Sequence, residues 1–142
     1  MYRLGRVTAL QGSCLCGGVA FEVDDPPDTL NVCHCTSCKK LSGGAGTVNL
    51  RVAPSKIRIL EGEELLQRFA LPDGSAKTFC GTCGANLFGA GWPDTDSASV
   101  RVTTLDEPPA GAKIVRHIYV RSAAPWETLP DDGADRFEET SR

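Results

Sequence analysis

The sequence predicts a mainly β domain with one or two short helices. Glycine and proline account for 15 and 9 of the 142 residues, which favours frequent turns and short strands. Apolar and β-branched residues recur in short runs or in alternation, as they do in half-buried strands. The length is typical of a single domain, so we expect residues 1–142 to form one.

The first half of the chain contains three segments with strand character and one helical turn. Residues 19–23 mix apolar and β-branched side chains, and the proline-containing loop 24–28 ends them. A short apolar segment, 30–32, leads into a cysteine-rich stretch. Residues 36–41 can form a helical turn capped by Thr36 or Ser37. Residues 47–52 then alternate as a strand does.

The second half contributes most of the remaining predicted strands. Gly74, in the turn 72–75, supplies the positive φ that a hairpin needs. The acidic tail from 125 to 142 is poor in apolar residues after its first few positions, so we expect its end to be loosely held. The predicted strands are 56–60, 65–71, 76–79, 99–105 and 114–121.

Composition and charge exclude several classes of function. A formal net charge of -3 gives no support to a nucleic-acid-binding surface. Residues 1–11 contain no apolar block of signal-peptide length, and no apolar run approaches the length of a membrane span. We therefore expect a cytoplasmic protein without membrane or nucleic-acid partners. Its oligomeric state does not follow from the sequence.

Seven cysteines are the unusual feature of the composition. Disulfides fit poorly, because the count is odd and closely spaced pairs form strained or catalytic bridges more often than structural ones. Thiolates are preferred ligands of zinc, so these clustered cysteines favour metal binding.

The densest cluster is Cys33, Cys35 and Cys38, called here the triplet. Cys33 and Cys35 point to the same side of an extended chain, and a tight turn brings Cys38 to meet them. Three thiolates around zinc leave one tetrahedral position open for a water or a substrate sulfur. The triplet is therefore the candidate catalytic site.

The other four cysteines suggest a closed structural site. Cys80 and Cys83 have the spacing of a zinc knuckle, and Cys14 and Cys16 can complete the tetrahedron. Spacing alone leaves two alternatives open. Cys14 and Cys16 can instead pair with two cysteines of the triplet, or the triplet can stay empty beside a single structural zinc.

Three segments together resemble the glutathione-dependent formaldehyde-activating enzyme family, which also includes centromere protein V. They are residues 12–19 (GSCLCGGV), 33–40 (CHCTSCKK) and 79–87 (FCGTCGANL), in that order. Weaker similarity at 105–106 and 117–126 extends the match to about residues 12–137.

The resemblance implies an Mss4-like fold, a β-tent of twisted antiparallel sheets stapled by a four-cysteine zinc site. It implies a structural zinc at Cys14, Cys16, Cys80 and Cys83, and a second, catalytic zinc at Cys33, Cys35 and Cys38. It also implies a carbon–sulfur lyase reaction, in which glutathione and formaldehyde form S-hydroxymethylglutathione.

In this hypothesis the open zinc position binds glutathione or a similar small thiol as the thiolate nucleophile. His34, between two ligands, is either a proton carrier in the substrate site or a plain spacer. Lys39 and Lys40 are candidates to meet the substrate carboxylates. Gly43 and Gly44 are candidates to let its backbone approach closely.

Four other residues remain without an assigned role. His117 and Tyr119 share one face of the strand 114–121, where ordinary sheet packing is expected. Trp92 and Trp126 are expected in the core rather than in the wall of a pocket.

Two further classes of function compete with the enzyme. A non-catalytic, zinc-stabilised binding module would tolerate loss of Cys35, whereas an enzyme would lose its activity. A thiol redox or metal-storage protein would show reversible oxidation of the triplet. The sequence lacks the basic tail of a chromatin protein, which favours the enzyme.

Overall fold

The computed structural model of the protein describes residues 9–140. This part of the chain contains eleven strands in two sheets and one α-helix, α1 (Thr36–Ser42). Four 3-10 turns connect them, at Pro54–Lys56, Glu63–Leu65, Val102–Thr104 and Val120–Ser122. The strands are β1 (Ala9–Ser13), β2 (Ala20–Asp24), β3 (Thr29–Cys33), β4 (Thr47–Val52), β5 (Ile57–Glu61), β6 (Leu66–Ala70), β7 (Ala76–Cys80), β8 (Asn86–Gly89), β9 (Ala98–Arg101), β10 (Lys113–Ile118) and β11 (Asp135–Arg136).

The mainly β prediction with a short helix is confirmed. The smaller sheet has the order β1-β2-β5, and the larger has the order β11-β10-β3-β4-β9-β8-β7-β6. All pairs are antiparallel except two, because β10 lies parallel to both β3 and β11. The antiparallel sheets implied by the resemblance are thus present, with parallel pairing at this edge only. The long connection from β3 to β10 permits the parallel arrangement, which a tight turn does not.

One face of the larger sheet is apolar and faces the smaller sheet. Leu50, Val100 and Phe88 share this face because they are paired across β4, β9 and β8. Phe21 of β2 lies edge-on to Phe88, with 5.0 Å between the ring centroids, and both are fully buried. The core therefore lies between the two sheets.

The opposite face of the larger sheet is polar and yet buried. Alternation along the strands places Asn31, Asn49 and Arg101 on it, in register across β3, β4 and β9. All three side chains are buried. Cys33 lies two residues beyond Asn31 and so belongs to the same face. This polar face carries the triplet.

Helix α1 begins differently from the prediction. Its N-cap is Cys35, whose Sγ accepts the backbone N–H of Cys38 at 3.3 Å, so the assignment of Thr36 or Ser37 as the cap was wrong. Gly43, in the left-handed conformation, ends the helix and donates its N–H to the carbonyl of Lys39 at 2.9 Å.

Several strand boundaries differ from the sequence prediction. The strand expected at 99–105 ends at Arg101 and continues as a 3-10 turn, and that expected at 114–121 ends at Ile118. Tyr119 has a φ of 57° and leaves the strand, so it does not share a face with His117 as expected. Strands β1 and β8 were not predicted, because glycine and short length obscure their alternation.

The C-terminal tail is bound to β10 and the turn after it as far as Glu139, contrary to expectation. Strand β11 pairs with β10, and the Phe137 N–H donates to the carbonyl of His117 at 2.9 Å. Backbone hydrogen bonds hold the tail where apolar contacts are few.

Two findings concern the predicted location of the protein. Residues 1–8, which form most of the segment inspected for a signal peptide, lie outside the described residues. None of the helices within residues 9–140 has the length and apolar character needed to cross a bilayer.

The core packing leads to a first prediction. Replacement Phe88→Ala should lower the free energy of unfolding by about 3–5 kcal/mol, because it opens a cavity where the sheets meet. Urea denaturation of the zinc-loaded protein in reducing buffer measures this change. Phe69→Ala is the matched control, since Phe69 is 59% exposed and its loss should matter little. Equal losses in the two variants would contradict the assigned core.

Candidate metal centres and substrate cleft

The structure brings Cys14, Cys16, Cys80 and Cys83 together. Their sulfur atoms all lie within 4.8 Å of one another, with 3.6 Å between Cys14 and Cys16 and 3.9 Å between Cys16 and Cys80. Tetrahedral zinc with Zn–S bonds of about 2.3 Å requires sulfurs about 3.8 Å apart. The donor set therefore fits a closed zinc site that joins the β1–β2 connection to the β7–β8 hairpin.

Backbone amides around this site favour thiolates. The Val19 N–H donates to the sulfur of Cys14 at 3.2 Å. A hydrogen bond from the backbone of Ala85 lowers the pKa of Cys83 to about 6. Gly84, at a φ of 79°, lets the hairpin turn tightly enough to place these groups. The sulfurs are thus held in a form that can bind a metal.

The triplet is assembled where β3 runs into α1. Cys33 is the last residue of β3, Cys35 is the N-cap, and Cys38 lies in the first turn of α1. Their sulfurs lie within 4.8 Å of one another. Cys33 and Cys38 are buried, whereas Cys35 is half-buried. Three sulfurs in this arrangement fit a tetrahedral metal with one position open.

The buried cysteines of the triplet differ in how readily they ionise. Hydrogen bonds from Cys33 and then Cys35 lower the pKa of the Cys38 thiol. The contacts of Cys33 with Cys35 and Cys38, together with burial, raise the pKa of Cys33. Metal binding must therefore displace protons from the buried Cys33.

A cleft of about 370 Å³ opens onto the triplet. Its volume lies in the range that small-molecule sites occupy. Besides the three cysteines, it is lined by the start of α1, the β6–β7 turn and the segment after β10. These residues are Thr36, Ser37, Leu71, Asp73, Ser75, Lys77, Tyr119, Arg121 and Ser122.

The charged groups of the cleft have different environments. Lys77 is buried, and no carboxylate within residues 9–140 forms a salt bridge with it. Arg121 lies at the rim and pairs with Glu139. Asp73 accepts hydrogen bonds from the Ser75 hydroxyl and backbone, which lower the pKa of Asp73. Lys77 is thus the buried cation of the cleft.

A second buried cation, Arg101, lies on the polar face of the larger sheet. Its Nε donates to Asn86 Oδ1 and its Nη1 to Asn49 Oδ1, both at 2.5 Å. Its Nη2 is buried and has no hydrogen-bond partner among residues 9–140. The sequence analysis missed Arg101 and Lys77, because an alternating strand does not reveal whether its polar side faces solvent.

His34 is buried away from the residues that line the cleft. Its Nε2 lies 3.0 Å from Nδ1 of His117, and the rings are stacked. His117 Nε2 lies 2.8 Å from a carboxylate oxygen of Asp132. Burial, and then the proximity of His117, lower the pKa of His34. The segment that carries the triplet is thus linked to the C-terminal tail through the imidazoles of His34 and His117. The proton-carrier role of His34 stays a prediction.

The predicted substrate-binding residues lie at the edge of the cleft or beyond it. The Lys39 ammonium donates to the carbonyl of Ser122. Lys40 is exposed and borders a small apolar pocket beside the cleft. Gly43 and Gly44 follow α1 and do not line the cleft.

The two tryptophans differ in environment. Trp92 packs against Phe88 at a centroid distance of 4.6 Å, as expected of a residue bordering the core. Trp126 is 83% exposed, so its expected core position was wrong. It lies in the turn after Ala124, beyond the reach of the sheet.

Comparison with known proteins gives three similarities. The family model described as glutathione-dependent formaldehyde-activating enzyme matches residues 9–122. A Halomonas elongata protein, provisionally named for the same activity, is 30% identical over 137 residues, covering 89% of this chain and 85% of its own. A crystal structure of a Rhodobacter sphaeroides protein has a TM-score of 0.59 at 22% identity, covering 74% of this chain and 97% of its own. The last similarity concerns the fold alone.

The two cysteine clusters should respond differently to mutation. Cys35→Ser should lower the zinc content from about two equivalents to about one without unfolding the protein, because serine can still cap α1. Cys83→Ser should unfold the protein, because the closed site contributes folding free energy. Elemental analysis and circular dichroism of anaerobically purified protein measure both changes. One zinc in both the wild type and Cys35→Ser would contradict a metal in the triplet.

The imidazole pair leads to a prediction about the tail. The hydrogen bond from His117 lowers the pKa of Asp132 in the folded protein. The stability that this hydrogen bond gives the folded protein is therefore present above the usual carboxyl pKa. It is lost as the pH falls through the lowered pKa of Asp132 in the folded protein. Asp132→Asn should remove this pH dependence and speed hydrogen exchange at the Phe137 amide, measured by NMR. Asp131→Asn is the control. Equal hydrogen-exchange rates at the Phe137 amide in both variants would contradict a stabilising hydrogen bond between His117 and Asp132.

Proposed function

This chain belongs to the glutathione-dependent formaldehyde-activating enzyme family, and we propose that it is a zinc-dependent enzyme that joins a small thiol to a small aldehyde. The reaction proposed is the addition of glutathione, or a similar thiol, to formaldehyde. The observation that carries the proposal is the triplet of sulfurs at the floor of an open cleft.

The donor sets support zinc at both clusters, with Cys14, Cys16, Cys80 and Cys83 holding a structural ion. Cys33, Cys35 and Cys38 would hold the second. When bound, zinc in the triplet would supply a Lewis acid that keeps the substrate sulfur deprotonated near neutral pH. The reduced thiols that this function needs are expected in the cytoplasm.

The residues of the cleft bind and orient the reactants. The substrate sulfur would approach the triplet from the cleft, beside the Lys77 ammonium. A carbon–sulfur bond forms as the thiolate adds to the aldehyde carbon, and the carbonyl π pair moves to oxygen, which takes up a proton. Tyr119 and Ser37 line the same cleft and offer hydroxyl donors for that oxygen.

The remaining predicted contacts concern the rest of the thiol. Lys40, at the edge of the cleft, is placed to meet a substrate carboxylate more freely than Lys39, whose ammonium already binds a carbonyl. Gly43 and Gly44 would contribute only if the substrate extends around the end of α1.

A direct assay tests this function. Exchange of ¹³C-formaldehyde with S-hydroxymethylglutathione, followed by NMR saturation transfer, should be accelerated by the wild type. Cys35→Ser should return the exchange rate to the uncatalysed background, because the triplet cannot assemble around a metal without it. Leu60→Ala provides a control with intact clusters, because Leu60 is 48% exposed on β5 of the smaller sheet. A wild type that binds two zincs but accelerates no exchange would contradict the proposal and favour a zinc-stabilised binding module.

A further inference from the structure

Two buried cations lie on the polar face of the larger sheet without a carboxylate partner. Arg101 and Lys77 are 5% and 8% exposed. Within residues 9–140, neither forms a salt bridge with Asp or Glu. A buried unpaired charge costs several kcal/mol, so an opposite charge nearby is expected.

The sheet register places both cations beside the triplet. Arg101 pairs with Asn49, and Asn49 pairs with Asn31, two residues before Cys33. Lys77 lines the cleft together with all three cysteines. Both cations therefore share the face and surroundings of the sulfurs.

The strand between the two cations leaves room for the guanidinium. Gly89 of β8 lies beneath it, and a Cβ there would lie 2.6 Å from Arg101 Nη2. Asn49 and Asn86 fix the Nη1 and Nε atoms, which leaves Nη2 as the buried donor without a partner. The guanidinium is thus held in one orientation by neutral groups that leave its charge uncompensated.

The charge of the proposed metal site matches these cations. Three thiolates and one divalent metal carry a net charge of -1. A thiolate as fourth ligand makes the net charge -2. Arg101 lies behind the triplet in the sheet, and Lys77 lies in the cleft, from which a fourth ligand approaches. One cation is therefore available for each negative charge.

We propose that Arg101 neutralises the metal-loaded triplet and that Lys77 neutralises the further charge of an anionic fourth ligand, so that the site selects a thiolate over a neutral ligand. This inference rests on the proposed function and assigns both residues as positioning and specificity-determining groups. The attraction of Cys38, Cys33 and Cys35 opposes the effect of burial, which lowers the pKa of Arg101.

Asp73 and Arg121 are the other charged residues named in the lining of the cleft. Within the described residues, Asp73 forms no salt bridge with Lys77. Asp73 is exposed and its carboxylate is bound by Ser75, and the Lys77 charge lowers the pKa of Asp73 only after those hydrogen bonds. Solvent screens the attraction, so the buried lysine stays largely uncompensated.

Cobalt(II) binding to the full-length protein, followed by its thiolate charge-transfer and d–d absorption, tests the inference without any aldehyde chemistry. Arg101→Gln should raise the Kd of cobalt at the triplet about ten- to hundredfold, the effect of one unit charge at an effective dielectric of about 20. Lys77→Met should weaken 2-mercaptoethanol binding to the cobalt protein about tenfold and leave imidazole binding unchanged. Imidazole is the neutral probe.

Matched variants control for charge and for folding. Arg58→Gln, on β5 of the smaller sheet, and Lys56→Met, in the turn before β5, remove the same charges away from the polar face and should leave both affinities unchanged. Cys35→Ser supplies the signal of the four-cysteine site alone, and retention of that signal shows that a variant is folded. If Arg101→Gln loses the signal of the four-cysteine site, that variant is unfolded. The thiol affinity of Lys77→Met then decides whether the inference stands.

Two outcomes would overturn the inference in distinguishable ways. Cobalt and thiol affinities in folded variants equal to those of the wild type would overturn it and leave the proposed function intact. A wild-type triplet that binds no cobalt would overturn both.

Discussion

Closure of the four-cysteine site is the constraint on which the rest of the structure depends. It joins the β1–β2 connection to the β7–β8 hairpin, and Cys16 and Cys80 are separated by 64 positions. Closing so long a loop has a large entropic cost, which a metal bound by the four sulfurs would offset. With this contact made, β7 and β8 lie in the larger sheet beside β9, and Lys77 comes within reach of the cleft. The structural cysteines therefore build the surroundings of the others.

The two faces of the larger sheet have different roles, one in the apolar core and the other in the candidate site. Leu50 and Val100 bury apolar area against the smaller sheet, as any two-layer β protein requires. Asn49 and Arg101, one position away on the same strands, are buried on the opposite face without an apolar environment to suit them. Their burial is tolerable because hydrogen bonds satisfy most of their polar atoms and because the thiolates supply negative charge. A site that needs buried cations thus shares strands with an apolar core.

Local patterns predicted most of the strands and the helix, because alternation is a short-range property. Spacing left the grouping of the cysteines open, and the resemblance to a family implied the two clusters that the structure brings together. Long-range packing decided the rest. Arg101 stands between two valines and has the pattern of a solvent-facing position, and only the tertiary fold covers it. The link from His34 to Asp132 spans most of the chain and has no local signature. Trp126 has the composition of a core residue, but the turn that carries it lies outside the sheets.

The double role of Cys35, which caps α1, has a consequence for the evolution of related chains. Its sulfur serves the triplet and also accepts the Cys38 N–H, one of the free backbone amides in the first turn of the helix. Serine satisfies the second requirement well and the first poorly. A single-nucleotide change from cysteine to serine at position 35 would therefore silence the chemistry while preserving the scaffold. Related chains that keep the fold without the proposed reaction can arise by this one substitution. A serine at position 35 would identify them.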